Sequence, residues 1–254
     1  MPLEILLKKE GILLKEPKKM AVFLRACVLG ILLGWAFPAL ADGVFGSRLQ
    51  EDTTRRFENY LKGEIRAERL QVALRGTDDD LQAGRVPEVR IFCSGALLGD
   101  LRCDRLVVVL RFVTFRPSGQ GVLLENPGAA EVSGTILEKD CEQSLKRSFP
   151  DLKNAEVRLE GSRVVVSGAY AKNYVVPVRA FVKLYGKYVI DPQSGEASLA
   201  FEKATNDNPF ISTEDIAKSL SRKSLRLSLA EFFVKPSLRD VRVDKRMVWF
   251  STKP

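Results

Sequence analysis

A chain of 254 residues with 45% hydrophobic content has the apolar material for a substantial core, which excludes disorder over most of its length. The net charge is +8 with acidic residues set among the basic ones throughout, which argues against nucleic acid, because its binders gather their charge and interleave aromatics with it. Histidine is absent, so Ser-His-Asp and Cys-His catalysis, the common zinc sites and imidazole proton relays are excluded.

The chain opens with an apolar run over residues 26–41, preceded by Arg25 and Lys18-Lys19 and ending Ala39-Leu40-Ala41 before Asp42-Gly43. Basic flank, apolar centre and small-x-small ending read as an export signal over residues 1–41, cleaved after Ala41. A retained anchor is the rival, but sixteen helical residues span only about 24 Å against a hydrocarbon core of about 30 Å. Residues 20–41 are a complete signal by themselves, so Met20 competes with Met1 as the start. Cys27 does not suit lipid attachment, because the apolar stretch follows it. Cleavage leaves 34 Lys/Arg against 29 Asp/Glu, a mild +5 that suits anionic headgroups, and the expected mature chain is one domain over 42–254.

Residues 48–62, charged but carrying Leu49, Phe57, Tyr60 and Leu61, read as an amphipathic helix. Alternation over 64–74 reads as a strand, and Gly76-Thr77-Asp78-Asp79-Asp80 as a solvated turn, since three adjacent carboxylates lack the spaced oxygens that calcium needs. Strands follow over 88–96 and 101–116, turning at Gly99-Asp100 and ending at Pro117-Ser118-Gly119. The run 106–110 is apolar at every position, so this strand is expected to be covered on both faces, by helices on one side and by a second sheet or a ligand on the other. Cys93 and Cys103 lie on these neighbouring strands and are placed to form a bridge. The other reading is three buried, reduced thiols with Cys141, and the odd count favours it.

Thr135-Ile136-Leu137-Glu138 has the form of a capping box, followed by Leu137, Cys141 and Leu145 at four-residue spacing and closed by Pro150. Three strand-like runs come next, over 155–159, 163–169 and 175–189, the first two joined by Glu160-Gly161-Ser162. In the last of them Val176, Val178, Ala180, Val182 and Leu184 share one face, and Arg179, Phe181, Lys183 and Tyr185 the other. Alternating cations and rings on an outer face suit a lipid headgroup layer. From Asn208 the pattern returns faintly: "NPFISTEDIAKSLSR" echoes "SGTILEKDCEQSLKR", and "VRVDKRMVWFS" echoes "VRLEGSRVVVSG". An internal duplication and a chance likeness of amphipathic pieces both account for this.

No polar constellation for chemistry emerges. Gly-rich phosphate loops are missing, and Glu138, Asp140 and Glu142 are better explained as first-turn helix acids than as a catalytic carboxylate pair. No enzyme, metal or cofactor is expected.

The wording resembles the LmeA-like family of bacterial cell-envelope phospholipid-binding proteins. The matching features are Val132-Ser133-Gly134-Thr135 leading into "ILEKDCEQSLKRSFP", then "AEVRLEGSRVVVSG", "VPVRAFVKLYGKYVIDP", and "LRDVRVDKRMVWFS" at the place of a terminal hairpin. The resemblance runs from about Glu64 to Thr252, and its marks are strands and a helix start, so no catalytic residue is implied. It implies an α+β fold, a long bent antiparallel sheet wrapped around one or two helices, related in shape to tubular lipid-binding domains. The expected function is an exported phospholipid- or lipid-binding protein of the periplasm or cell envelope, peripheral to a membrane surface. The residues expected to line its apolar groove are Val107, Val109, Phe112, Val176, Val178, Val182 and Leu184. The alternative is a structural or adaptor protein of the envelope with no ligand.

Overall fold

A computed structural model describes residues 47–173, 177–223, 225–244 and 246–253. The expected signal segment, Cys27 and Val176 lie outside the described residues.

Helix α1 (Arg48–Glu64) forms as read: Ser47 caps it by accepting from the Gln50 amide at 3.1 Å, and Thr53, Phe57 and Leu61 make a buried stripe at four-residue spacing. Strand β1 (Arg69–Arg75) is shorter than the alternation suggested, because Ile65 already serves as the helix cap. The expected turn at the three aspartates is instead a short helix α2 (Asp78–Gln82). Thr77 and Asp80 cap each other reciprocally there, and the acids sit in the first turn, where the helix dipole favours them.

Strands β2 (Arg85–Leu98), β3 (Leu101–Ser118), β4 (Gly121–Asn126) and β5 (Ala129–Leu137) continue the sheet. The expected capping box at Thr135 is overturned. Thr135 lies inside β5 opposite Arg105 and Trp249, and α3 (Glu138–Ser148) starts three residues later with Leu137 as a cap that offers no side chain. The local motif lost to strand pairing, whose signal is the inward alternation of Val132, Gly134 and Ile136. Gly134 is required for close packing: a Cβ there would stand 2.6 Å from the buried Phe250 ring.

After α3 come β6 (Leu152–Glu160), β7 (Arg163–Asn173), β8 (Pro177–Ile190) and β9 (Ala197–Asn206), then α4 (Thr213–Lys223) and the hairpin β10 (Asp240–Asp244) with β11 (Met247–Ser251). Among the described residues the fold is thus α+β, mostly antiparallel strand with four helices. The strands divide between two sheets where the sequence suggested one long sheet. The larger runs β1-β2-β3-β5-β11-β10 with β4 beside β3, and the smaller runs β6-β7-β8-β9. Helix α3 carries the chain from the larger sheet to the smaller, and α4 carries it back, so the two segments that echo each other in sequence take matching places in the topology. One hydrophobic cluster runs through both sheets and the helices.

Candidate lipid-contact surfaces

The inner face of β3 carries Leu106, Val108 and Leu110, all with no exposure, and that of β8 carries Ala180, Val182 and Leu184 at 4, 0 and 0%. Phe57 of α1 meets Phe115 edge to face at 5.1 Å, and α3 adds Cys141 and Leu145. Tyr188 of β8 is placed near Cys103 and Cys141, and burial raises its phenol well above the ordinary range.

Of the residues expected to line a groove, Val107, Val109, Phe112, Val182 and Leu184 are not brought together. Val182 and Leu184 are enclosed in the interior. Val107 and Val109 lie on the other face of β3 and are half-buried, which corrects the expectation that this strand is covered on both sides. Their open face is bordered by ion pairs instead: Glu88 with Arg90 at 2.7 Å and with Arg75 and Arg111 at 3.6 and 3.7 Å, and Glu131 with Arg111 and Lys253 at 2.6 Å each. The hydrogen bond from Arg90 holds the Glu88 carboxyl below its usual range. Phe112 is 75% exposed with left-handed φ of 60°, at a kink between Arg111 and Val113. Gly128 packs against that kink so closely that a Cβ would meet the Arg111 carbonyl at 1.8 Å. Val178 lies in β8 opposite Lys172.

The first-turn acids of α3 are each committed to a separate structural partner. Glu138 accepts from the Leu159 amide at 2.7 Å, and Glu142 pairs with Lys146 at 2.5 Å. Asp140, 2% exposed, meets Arg102 at 3.3 Å, whose guanidinium also forks onto the Glu68 carboxylate at 2.8 and 3.0 Å. They do not converge on a point, and no group of metal-ligating side chains exists among the described residues. Cys93, Cys103 and Cys141 are free and buried. The bridge considered between Cys93 and Cys103 is absent because register sets them apart, Cys93 opposite Leu106 and Cys103 opposite Ala96. Burial pushes the Cys93 thiol to about 11 and Cys141 to about 12, so neither is a nucleophile near neutrality.

Two features escaped the sequence reading. The first is the strap 225–239 between α4 and β10, irregular in backbone yet burying Leu225, Leu227, Leu229, Phe232 and Leu238. It is pinned by the Leu227–Ala197 backbone pair at 2.8 and 2.9 Å, and by Glu196, which accepts from Ser228 Oγ at 2.6 Å and pairs with Arg226. Beside it a cleft of about 380 Å³ opens between the end of α1, the β2–β3 turn and the strap, lined among others by Ile65, Arg66, Leu97, Leu98 and Phe232. Alternating Leu residues in the strap were its available signal. The second is the loop 207–212, where Phe210 stands 93% exposed. Comparison with protein-family models, curated proteins and solved structures returned no match.

Proposed function

We propose that this chain is an exported protein of the periplasm or cell envelope that binds phospholipid or a related acyl lipid. It holds acyl chain between its sheets in the manner of tubular lipid-binding domains, as the LmeA-like wording suggests. The observation that carries the reading is the strap: part of the apolar interior is covered by irregular backbone, through Leu225, Leu227, Leu229, Phe232 and Leu238, rather than by strand or helix. Such backbone has fewer ladder hydrogen bonds to break than a strand or helix, so its hold on the interior rests mainly on those buried side chains, which an acyl chain can replace in kind. The adjoining cleft, at about 380 Å³, sits at the lower end of the range for ligand pockets of about 300–1,000 Å³. It would take a headgroup and the start of a chain, with Arg66 as the cation of a lining that also carries Glu64 and Glu231. Displacement of the strap would then admit the remaining methylenes, each worth about 0.8 kcal/mol on burial.

A second reading, a structural or adaptor protein of the envelope with no ligand, is favoured by one observation: Val182 and Leu184 are wholly covered by the protein's own atoms. Leu97→Trp separates the two. Leu97 lines the cleft and is 41% exposed, so the larger side chain should change stability by no more than about 0.5 kcal/mol while blocking the mouth. Loss of co-purifying lipid at an unchanged melting temperature supports lipid binding through this mouth. Undiminished lipid, or none in either protein, removes it.

A further inference from the structure

The loop 207–212 holds an aromatic ring out into solvent and is built to do so. The Phe210 amide donates to Asn208 Oδ1 at 3.0 Å, the Asn208 amide to Asn206 Oδ1 at 3.0 Å, and Asn206 Nδ2 to the Ile211 carbonyl at 2.7 Å. The same loop is tied to the start of β8. Asn208 Nδ2 donates to the Arg179 carbonyl at 3.0 Å, and the Phe181 amide donates to Asp207 Oδ1 at 2.7 Å. A ring on an unbraced loop would fold back onto the nearest apolar surface, whereas this bracing keeps Phe210 93% exposed.

Phe181, at the same end of the smaller sheet, is itself 54% exposed on the outer face. Arg179 and Lys183 alternate with it along β8. Register places Tyr185 beside Lys203 on that face, with the Lys183 and Lys203 ammonium groups 5.2 and 5.9 Å from the Tyr185 ring centre. Among the described residues none of these three cations has a carboxylate partner. Of the acids nearby, Asp207 accepts from the Phe181 amide and Glu202 pairs with Lys187 at 2.9 Å and Arg163 at 3.8 Å, while Glu214 and Asp215 sit in the first turn of α4, where the helix dipole favours them.

From this we infer that the end of the smaller sheet bearing Phe181, Phe210, Arg179, Lys183 and Lys203 docks on an anionic bilayer surface. The two rings enter the headgroup zone and the cations lie over lipid phosphates. Charge complementarity selects the occupant. Unpaired cations on apolar stems beside projecting rings match the graded polarity of a membrane interface, where such side chains reach up to charge while their stems stay in apolar surroundings. The inference deepens the lipid-binding reading and takes from it only the envelope setting.

The test is sedimentation of the full mature chain with vesicles of phosphatidylcholine alone and of phosphatidylcholine mixed equally with phosphatidylglycerol. The wild type should bind the mixed vesicles, more weakly as salt is raised. Phe210→Ser should lose about tenfold or more in partitioning, the removal of one ring from the interface. Lys183→Glu with Lys203→Glu should abolish the preference for anionic vesicles. Leu123→Ser, which removes a 54% exposed apolar side chain from β4 of the other sheet, should bind as wild type does. A wild type that stays in the supernatant, Phe210→Ser binding undiminished, or Leu123→Ser weakening as much would overturn the surface. A protein that carries extractable lipid yet ignores vesicles sinks this inference alone, and one that docks on vesicles yet carries no lipid sinks the acyl-binding reading alone.

Discussion

Replacing Arg102 by Met tests how the acids at the start of α3 are used. Asp140 is 2% exposed and Arg102 Nη1 stands 3.3 Å from its carboxylate, so the variant leaves a buried charge without its partner. Breaking a buried pair from one side costs about 3–5 kcal/mol, and the helix dipole, acting on a first-turn acid, returns about 0.3–1 kcal/mol. The other arm of Arg102 holds Glu68, which is 61% exposed, and a surface pair contributes only about 0–1 kcal/mol. The loss should therefore be near 3 kcal/mol, almost all of it from Asp140. For a folded unit of this size each kcal/mol moves the melt by about 2–4 °C, so the midpoint should fall by roughly 6–12 °C. Urea unfolding at neutral pH reads this as a lower midpoint with unchanged slope. Glu68→Gln isolates the exposed arm and should cost no more than about 1 kcal/mol. The reasoning fails if Arg102→Met stays within about 1 kcal/mol of wild type, or if Glu68→Gln costs as much as Arg102→Met.

Further outcomes follow from other sites. Glu88 has its pKa held down in the folded state by the Arg90 hydrogen bond, so its stabilisation is present above the unfolded carboxyl value and lost as pH falls through the folded one. Glu88→Gln should accordingly flatten the loss of stability below about pH 4.5 in urea melts, and an unchanged acid limb contradicts this. The three described cysteines should react with a thiol reagent only on the unfolding timescale, and rapid native labelling would show a thiol within reach. Gly134→Ala should destabilise by about 1–3 kcal/mol in a urea melt, because its methyl would press on Phe250 and on the Arg105 carbonyl at 2.6 and 2.8 Å. Material recovered from the envelope or medium should begin at Asp42 on N-terminal sequencing, and retention of residues 29–35 would overturn the export reading.

Periodicity revealed which face of each element is apolar, but not what lies across from it. Phe57 and Leu61 on α1 and the alternation of Ala180, Val182 and Leu184 were legible because spacing alone determines a face, whereas the buried Thr53 on the same stripe was not. Thr135 misled because a local capping pattern says nothing of the β11 strand that pairs with it from more than a hundred residues away. The run at 106–110 misled in the same way: Val107 and Val109 are half-buried on an open face, with Phe92 and Ser133 beside Val107 and Arg90 and Glu131 beside Val109 rather than another layer. Cys93 and Cys103 looked close because they flank one turn, and register sets them apart. The candidate mouth was out of reach for a related reason. Its walls come from the end of α1, the β2–β3 turn and the strap, segments more than a hundred residues apart at their extremes, whose meeting no local pattern records. Phe210 was visible as a residue, but its exposure depends on asparagine side chains closing hydrogen bonds across a loop.

Mass spectrometry of an organic extract from the mature protein, purified without detergent from the envelope fraction, tests lipid binding most directly. Phospholipid stoichiometric with the chain, and reduced in Leu97→Trp, is the predicted result. A clean extract from correctly folded protein would contradict it and leave the apolar interior as core alone.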